Sequence, residues 1–368
     1  MILSKYPNLV LKEIFDHMEY SELFVLSFGS KNMKNLIKWS QKERFKTIRS
    51  IEYLCNNISQ PPLVYIPSKR GMESIMDFWN PKKDKYGIFQ VNASGNMIDF
   101  QWNTFQNWAM ASFKNRDKES VIESIHDYLL DFFGSSVQYH WRYDYFKHYF
   151  IPKLRNVSFC LDITLNEDFT DWEKLETFFS SSPAFKWIEM GIKLAAKPFH
   201  PESKFYQAES LLVIQRRNIV PSPAILRHFQ GKQLTIICDR WEISEDLIEF
   251  VNRWKSGEAF QNLEYLKIEI NRNEVMHNGI LNEIGAKFID ATRQPPTHSV
   301  PKIYDWHDKQ TEPNTDAIRS RAYVVRQSDN CVASILIGNY RFSFGGRSKS
   351  IYFGVWHKTE EEFLKLMD

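Results

Sequence analysis

His140, Asp144 and His148 recur at intervals of four residues, a spacing that would align all three along one face of a helix and suggests metal ligation. On a helix rising ~1.5 Å per residue the outer pair stands about 12 Å apart, too far to share an ion whose ligands sit at ~2 Å. Tyr139, Trp141, Tyr143, Tyr145 and Phe146 surround them, so they read as polar edges of an aromatic packing surface, and no metal site is expected. Gly231-Lys232 suggests a phosphate loop, but Leu226 stands where the first glycine belongs and Gln233 where the magnesium-binding hydroxyl belongs. Gly345-Gly346-Arg347 reads as a hairpin turn. No GxSxG, HExxH or GxGxxG occurs. Cys55, Cys160, Cys238 and Cys331 are scattered, with no CxxC, so neither a zinc knuckle nor a disulfide framework is expected, and a reducing compartment fits. Arg240-Trp241 and Arg253-Trp254-Lys255 have the residue types that stack on bases. Yet 47 Lys and Arg against 45 Asp and Glu, a net charge of +2, give no field that draws nucleic acid or an anionic membrane. Those tryptophans read as packing on helix faces. The expectation is no catalytic residue, no cofactor and a protein partner.

The elements around these residues give more. Hydrophobic residues make up 43% and aromatics 15% of 368 residues, enough for two or three domains with sizeable cores. No apolar run approaches the ~20 residues of a membrane-spanning helix, and Lys12-Glu13 interrupts the first apolar stretch as no secretory leader would. An intracellular protein of the cytoplasm or nucleus is expected. Residues 1–45 read as short helices. Pro7 suits a first helical position, and Val10, Leu11, Ile14, Phe15 and Met18 form one stripe. Ser21 is expected to cap a second helix carrying Leu23, Phe24 and Leu26, and Ser30 a third carrying Met33, Leu36 and Ile37. So short a segment has more apolar surface than it can hide, so it must pack on the rest of the chain or on a partner.

Tyr6-Pro7-x-Leu9-Val10-x-x-x-Ile14-Phe15-x-x-Met18, then Ser21-x-Leu23-x-x-Leu26-Ser27-x-x-Ser30-Lys31, resembles the F-box, with Ser30 and Met33 where that family commonly has Cys and Trp. The resemblance implies that Pro7, Leu9, Val10, Ile14, Phe15, Leu23 and Leu26 pack on a Skp-family adaptor, and through it on a cullin–RING ligase.

Residues 46–156 form an intermediate region. Ile88–Val91 and Ile98–Phe100 pair as strands across Asn92–Asn96, and 118–133 is a helix with Val121, Ile122, Ile125, Leu129 and Phe132 on one face, stopped by Gly134. Over 157–275, strand-like segments at Ser158–Ile163, Trp187–Ile192, Leu211–Gln215, Leu234–Cys238 and Leu266–Ile270 alternate with helices. Those helices start at the Thr170-x-x-Glu173 capping box, at Ser222-Pro223 and at Ser244, the last ending at Gly257. This alternation is leucine-rich-repeat-like, although a short α/β domain that is no true solenoid stays open. Arg240-Trp241, Phe250-Val251-x-x-Trp254 and Leu263–Glu269 also resemble the F-box-associated domain abundant in nematodes, for which substrate binding is inferred. Residues 276–320, with Pro295, Pro296, Pro301 and Pro313, read as an irregular link. Residues 321–368 read as an antiparallel meander and short tail, turning at Gly338-Asn339.

The fold expected is therefore mixed α+β and α/β: a small helical F-box, an irregular strand–helix domain and a β meander. Residues 157–356 are expected to fold without the first 45. The resemblance implies a substrate-recognition subunit of a Skp–cullin–F-box ubiquitin ligase with an unidentified protein target. An α/β enzyme with an unrecognised site and a scaffold unrelated to ubiquitin are the rival readings. In the strand ending at Ile270, Tyr265, Lys267 and Glu269 alternate with Leu266, Ile268 and Ile270, which predicts an exposed target-binding row.

Overall fold

Four short helices open the chain: α1 (Asn8–Asp16), α2 (Tyr20–Ser27), α3 (Lys31–Ser40) and α4 (Lys42–Lys46). A computed structural model of the chain describes residues 6–55, 62–68, 71–79, 88–104, 107–113, 115–143, 152–193, 197–215, 223–271, 279–304, 314–341 and 347–367. It divides into two compact units, Met1–Cys160 and Leu161–Asp368.

In the first unit the helices lead into β1 (Ser50–Cys55), β2 (Leu63–Ser68), β3 (Gly71–Trp79), β4 (Ile88–Ala93), β5 (Asn96–Asn103), β6 (Trp108–Ser112), α5 (Lys118–Phe133) and β7 (Gln138–Tyr143). The strands lie in the order β7-β1-β2-β3-β6-β5-β4, with β1/β7 and β3/β6 parallel and the other neighbours antiparallel. The hairpin expected over 88–100 is β4–β5. It closes on the two residues Ser94 and Gly95, and the Asn92 side chain accepts the Gly95 N–H at 2.9 Å. Helix α5 has the expected limits. Ile122, Ile125, Leu129 and Phe132 are buried, and Gly134 takes a positive φ of 103° at its end. Tyr139 donates its hydroxyl to Leu129 O at 3.1 Å, and His126 bridges Tyr53 OH and Arg155 O, at 2.8 Å each, which ties helix to sheet.

The second unit opens with β8 (Val157–Leu165), across whose first residues the division falls, and continues through α6 (Trp172–Ser181), β9 (Phe185–Ile192), β10 (Ser210–Gln215), α7 (Ala224–His228), β11 (Gln233–Cys238), α8 (Ser244–Ser256) and β12 (Tyr265–Ile270). Then come α9 (Ile280–Glu283), β13 (Lys287–Phe288), β14 (Thr297–His298), β15 (Ile318–Arg319), β16 (Ala322–Val325), β17 (Cys331–Arg341), β18 (Arg347–Thr359) and α10 (Glu360–Leu364). Strands β8 to β12 lie side by side in chain order, and β9, β10, β11 and β12 run parallel in unbroken register. Trp241 and Trp254 are buried on this layer, as packing residues should be. Beyond β12 the sheet continues antiparallel as β18-β17-β16-β13.

Several local expectations need correction. Pro7 precedes α1 as its N-cap, and its carbonyl accepts the Leu11 N–H at 3.1 Å. Helix α2 starts one residue before Ser21, which is buried; Glu22 accepts the Glu19 N–H instead. Ser30 does cap α3, accepting from Met33 N at 3.1 Å. Thr170 and Ser244 supply no cap: α6 has Asp171 at that position and α8 has Ile243, neither with a side-chain cap bond. Gly338 and Asn339 are not a turn but interior residues of β17, opposite Ser350 and Lys349. Gly345-Gly346, expected to turn a hairpin, lie outside the described residues.

The largest correction concerns 276–320. Its described parts fold back across one face of the second unit's sheet. His298 Nε2 bonds Val355 O on β18 at 3.0 Å, and Ile318 packs with Tyr265 and Tyr352. Gln233 on β11 bonds Pro301 O at 2.7 Å and Ile303 N at 3.2 Å, and Tyr304 meets Trp187 on β9 with ring centroids 4.9 Å apart. These described parts form a strap across the strands rather than a link.

Candidate functional site

The N-terminal helices are held from behind. Helices α1 and α2 both pack on α3. Arg44 of α4 donates to Phe15 O (3.2 Å) and Met18 O (2.8 Å) at the end of α1 and lies over the Tyr20 ring at 4.2 Å. Gln41 donates to Asp16 at 2.7 Å; bonds from Lys12 and then Gln41 hold the Asp16 carboxyl below the usual carboxylate range.

One face of this layer is committed to the rest of the first unit. Phe24 meets Tyr128 and Phe132 of α5 with centroids 5.8 and 6.1 Å apart, Tyr20 meets Phe133 at 6.0 Å, and Phe28 meets Phe100 of β5 at 5.2 Å. Ser27 Oγ and Tyr128 OH lie 2.9 Å apart, and burial pushes the Tyr128 hydroxyl up to about 12. Lys34 sits 3.5 Å over the Tyr128 ring and 2.6 Å from Asp131, which also pairs with Lys38 at 2.8 Å. Burial lowers the Lys34 pKa against the pull of Asp131, as a half-buried ammonium requires.

What remains outside is apolar. Leu9 is 83% exposed and Trp39 63%, with Tyr6 and Val10 also exposed. Pro7 is exposed, and Ile14 and Leu26 are half-buried. Val10 and Ile14 are four apart on α1, and Leu36 and Trp39 three apart on α3, so each pair shares a helix face. Of the seven residues that the F-box resemblance assigns to an adaptor, two are not on the surface. Leu23 and Phe15 are fully buried, because α2 packs on α3, β3 and β6 and Phe15 faces inward beside Leu11. Trp39 was not among the seven. It lies off the Met33–Leu36–Ile37 stripe, and its one sequence signal is the spacing of three from Leu36.

The row Tyr265, Lys267 and Glu269 is not an exposed surface. Strand β12 is flanked by β11 and β18, and the strap covers this face. Tyr265 is 3% exposed. Lys267 lies 2.9 Å from Asp316 of the strap and 3.2 Å from Glu269. Burial pulls the Lys267 pKa down, but Asp316, with Tyr352 and Glu269, outweighs it and the net shift is upward.

His140 lies in a strand, so the helical spacing that grouped it with Asp144 and His148 does not hold; those two residues lie outside the described ones. His140 is buried, its Nδ1 3.7 Å from Glu52, whose other oxygen accepts from Tyr65 at 2.6 Å. Among the described residues no group of three or more His, Cys, Asp or Glu is placed to hold a metal, and no helix is long and apolar enough to cross a membrane. Gly231 closes a tight crossing, where a Cβ would run into Ala208 O, while Lys232 pairs with Glu209 at 2.5 Å.

The sequence pattern of the F-box domain matches residues 7–45, and those residues are an F-box domain. They are followed by a large, mostly sheet region. No curated protein and no solved structure matches the chain.

Proposed function

We propose that this chain is a substrate-recognition subunit of a Skp–cullin–F-box ubiquitin ligase. The observation that carries the reading is an F-box at 7–45 whose first and third helices keep large apolar side chains in solvent while α2 is committed to the core. Patches of this kind mark interaction surfaces. In this reading Pro7, Leu9, Val10, Ile14 and Leu26, joined by Trp39, meet a Skp-family adaptor, and Leu23 and Phe15 support them from within. The adaptor brings a cullin–RING scaffold. The rest of the chain holds a protein target, so the contribution to ubiquitin transfer is proximity: a raised effective concentration of target lysines near the charged enzyme, with no catalytic side chain from this protein.

The second unit is proposed as the target-holding part, with 157–275 as the F-box-associated, repeat-like domain and 321–368 as its closing meander. The ordered parallel strands β9 to β12 support a repeat-like origin. Because the strap lies over Tyr265, Lys267 and Glu269, the target surface is assigned to other residues of this unit. An intracellular location goes with these partners. The test is co-purification with a Skp-family adaptor from wild-type chain and from Leu9→Asp/Trp39→Asp. Wild-type recovery by the double variant would sink the assignment.

A further inference from the structure

The hairpin β4–β5 ends the sheet of the first unit, and among the described residues no strand pairs with the outer side of β4. The turn geometry fixes which main-chain groups that side presents. Ser94 and Gly95 both have positive φ (49° and 95°), the form of a type I′ turn, and Ala93 and Asn96 flank it. The flanking pair exchanges both hydrogen bonds, and the pattern alternates from there, so Val91 and Phe89 bond inward to Ile98 and Phe100. The N–H and C=O groups of Ile88, Gln90 and Asn92 therefore point outward, and all three residues are exposed. Natural edges are usually guarded by lysine, proline, a bulge or a covering element. Ile88–Ala93 carries no charge and no proline, and its register with β5 runs without a bulge.

We propose that β4 is a self-association edge, pairing antiparallel with β4 of a second copy about a two-fold axis at Gln90. That register sets Gln90 opposite Gln90 of the second copy, and Ile88 opposite Asn92, three pairs that exchange about six main-chain hydrogen bonds. Side chains then align in rows across four strands. On the outer face, Met97 and Asn92 of one copy continue into Ile88 of the other, so two exposed apolar side chains, Met97 (61%) and Ile88 (39%), fall in one row. On the α5 face, Ile98 and Val91 continue into Phe89 and Phe100 of the second copy, an unbroken apolar row that covers the half-buried Phe89. The central row runs Asp99, Gln90, Gln90, Asp99. Each glutamine amide donates to its own Asp99 at 2.9 Å, and the two carboxylates stand three strand spacings apart, about 14 Å, beyond the screening length in physiological salt. A peptide of unrelated sequence would satisfy the main-chain groups but not these matched rows, which makes the second copy the occupant. The pairing is independent of adaptor binding.

Light scattering after gel filtration of the full chain, from low to high micromolar, should give a mass rising toward twice that of one chain. Gln90→Pro removes the outward N–H at the axis, at an edge position where proline is tolerated, and should stay monomeric with unchanged melting. Gln90→Cys should cross-link to itself on mild oxidation, since such a pair has Cα atoms about 5.5 Å apart. Asn92→Cys, whose counterpart is Ile88, should not. If Gln90→Pro fails to fold, the two cysteine variants decide. A monomeric wild type, a dimer that survives Gln90→Pro, or equal cross-linking of both cysteine variants would overturn the proposal. So would a wild type that stays monomeric and protects the β4 amides only on addition of another protein's extended segment.

Discussion

Leu9 and Leu23 belong to the same short motif, yet the structure gives them opposite roles, and a pair of substitutions separates them. Leu23 is fully buried on α2, which packs on α3, β3 and β6. Truncation to alanine leaves a cavity there and should cost about 2–5 kcal/mol of stability, with a clear fall in melting temperature. Leu9 is 83% exposed, so Leu9→Asp should leave stability within about 0.5 kcal/mol of wild type. Its effect belongs to binding. Burying a leucine at an interface contributes about 1.5–3 kcal/mol, so losing it weakens adaptor affinity roughly ten- to a hundredfold, before the added cost of desolvating a carboxylate. Thermal melts of both variants by circular dichroism, with titration of Leu9→Asp into a purified Skp-family adaptor, read the two quantities separately. Adaptor binding by Leu9→Asp within about twofold of wild type, or wild-type melting by Leu23→Ala, would refute the division of roles.

The strand–helix pattern alone suggests that 46–368 melts cooperatively without residues 1–45, but Tyr128, Phe132 and Phe133 would lose their cover, so 46–368 should aggregate or bind a hydrophobic dye; a soluble, cooperatively melting 46–368 would show otherwise. Asp77 is pushed up to about 7 by burial, partly offset by the Phe78 N–H it accepts, so its folded carboxyl binds a proton more tightly than the unfolded one. Stability from this group is complete below about pH 4 and lost as pH rises through about 7, so Asp77→Asn should raise the melting temperature at pH 8 and not at pH 4. An unchanged gap across that range would remove Asp77 as the cause. Gly231→Ala should destabilise by about 1–3 kcal/mol or more, measured by denaturant titration, since Ala208 O occupies the space its methyl needs.

Where one element decided its own structure, the sequence was readable. Helix α5 followed from its apolar stripe and Gly134, and the β4–β5 hairpin from Asn92 and Gly95. The strands β8 to β12 followed from their apolar runs. What required a second element was not readable. The face of β12 carrying Tyr265 looked outward by alternation alone, because its cover comes from the described residues 297–304 and 314–319, which carry no period. Leu23 and Leu9 are equivalent as motif residues; only the elements packed on α2, among them α3 and β3, distinguish them. Gly338-Asn339 had the chemistry of a turn, but antiparallel pairing with β18 extends past it and keeps it in the strand.

The stacking of Tyr20, Phe24 and Phe28 on α5 and β5 has a mechanical consequence. From α4 to β1 there is no Gly- or Ser-rich tether; Phe45 and Ile48 are buried on the way, and Phe45 lies 5.3 Å from Phe132. A grip on α1 and α3 therefore acts on the first unit's sheet as on the handle of a solid tool. Torque passes through packed rings instead of dissipating in a swivel, and the sheet keeps a constant bearing to whatever holds the helices.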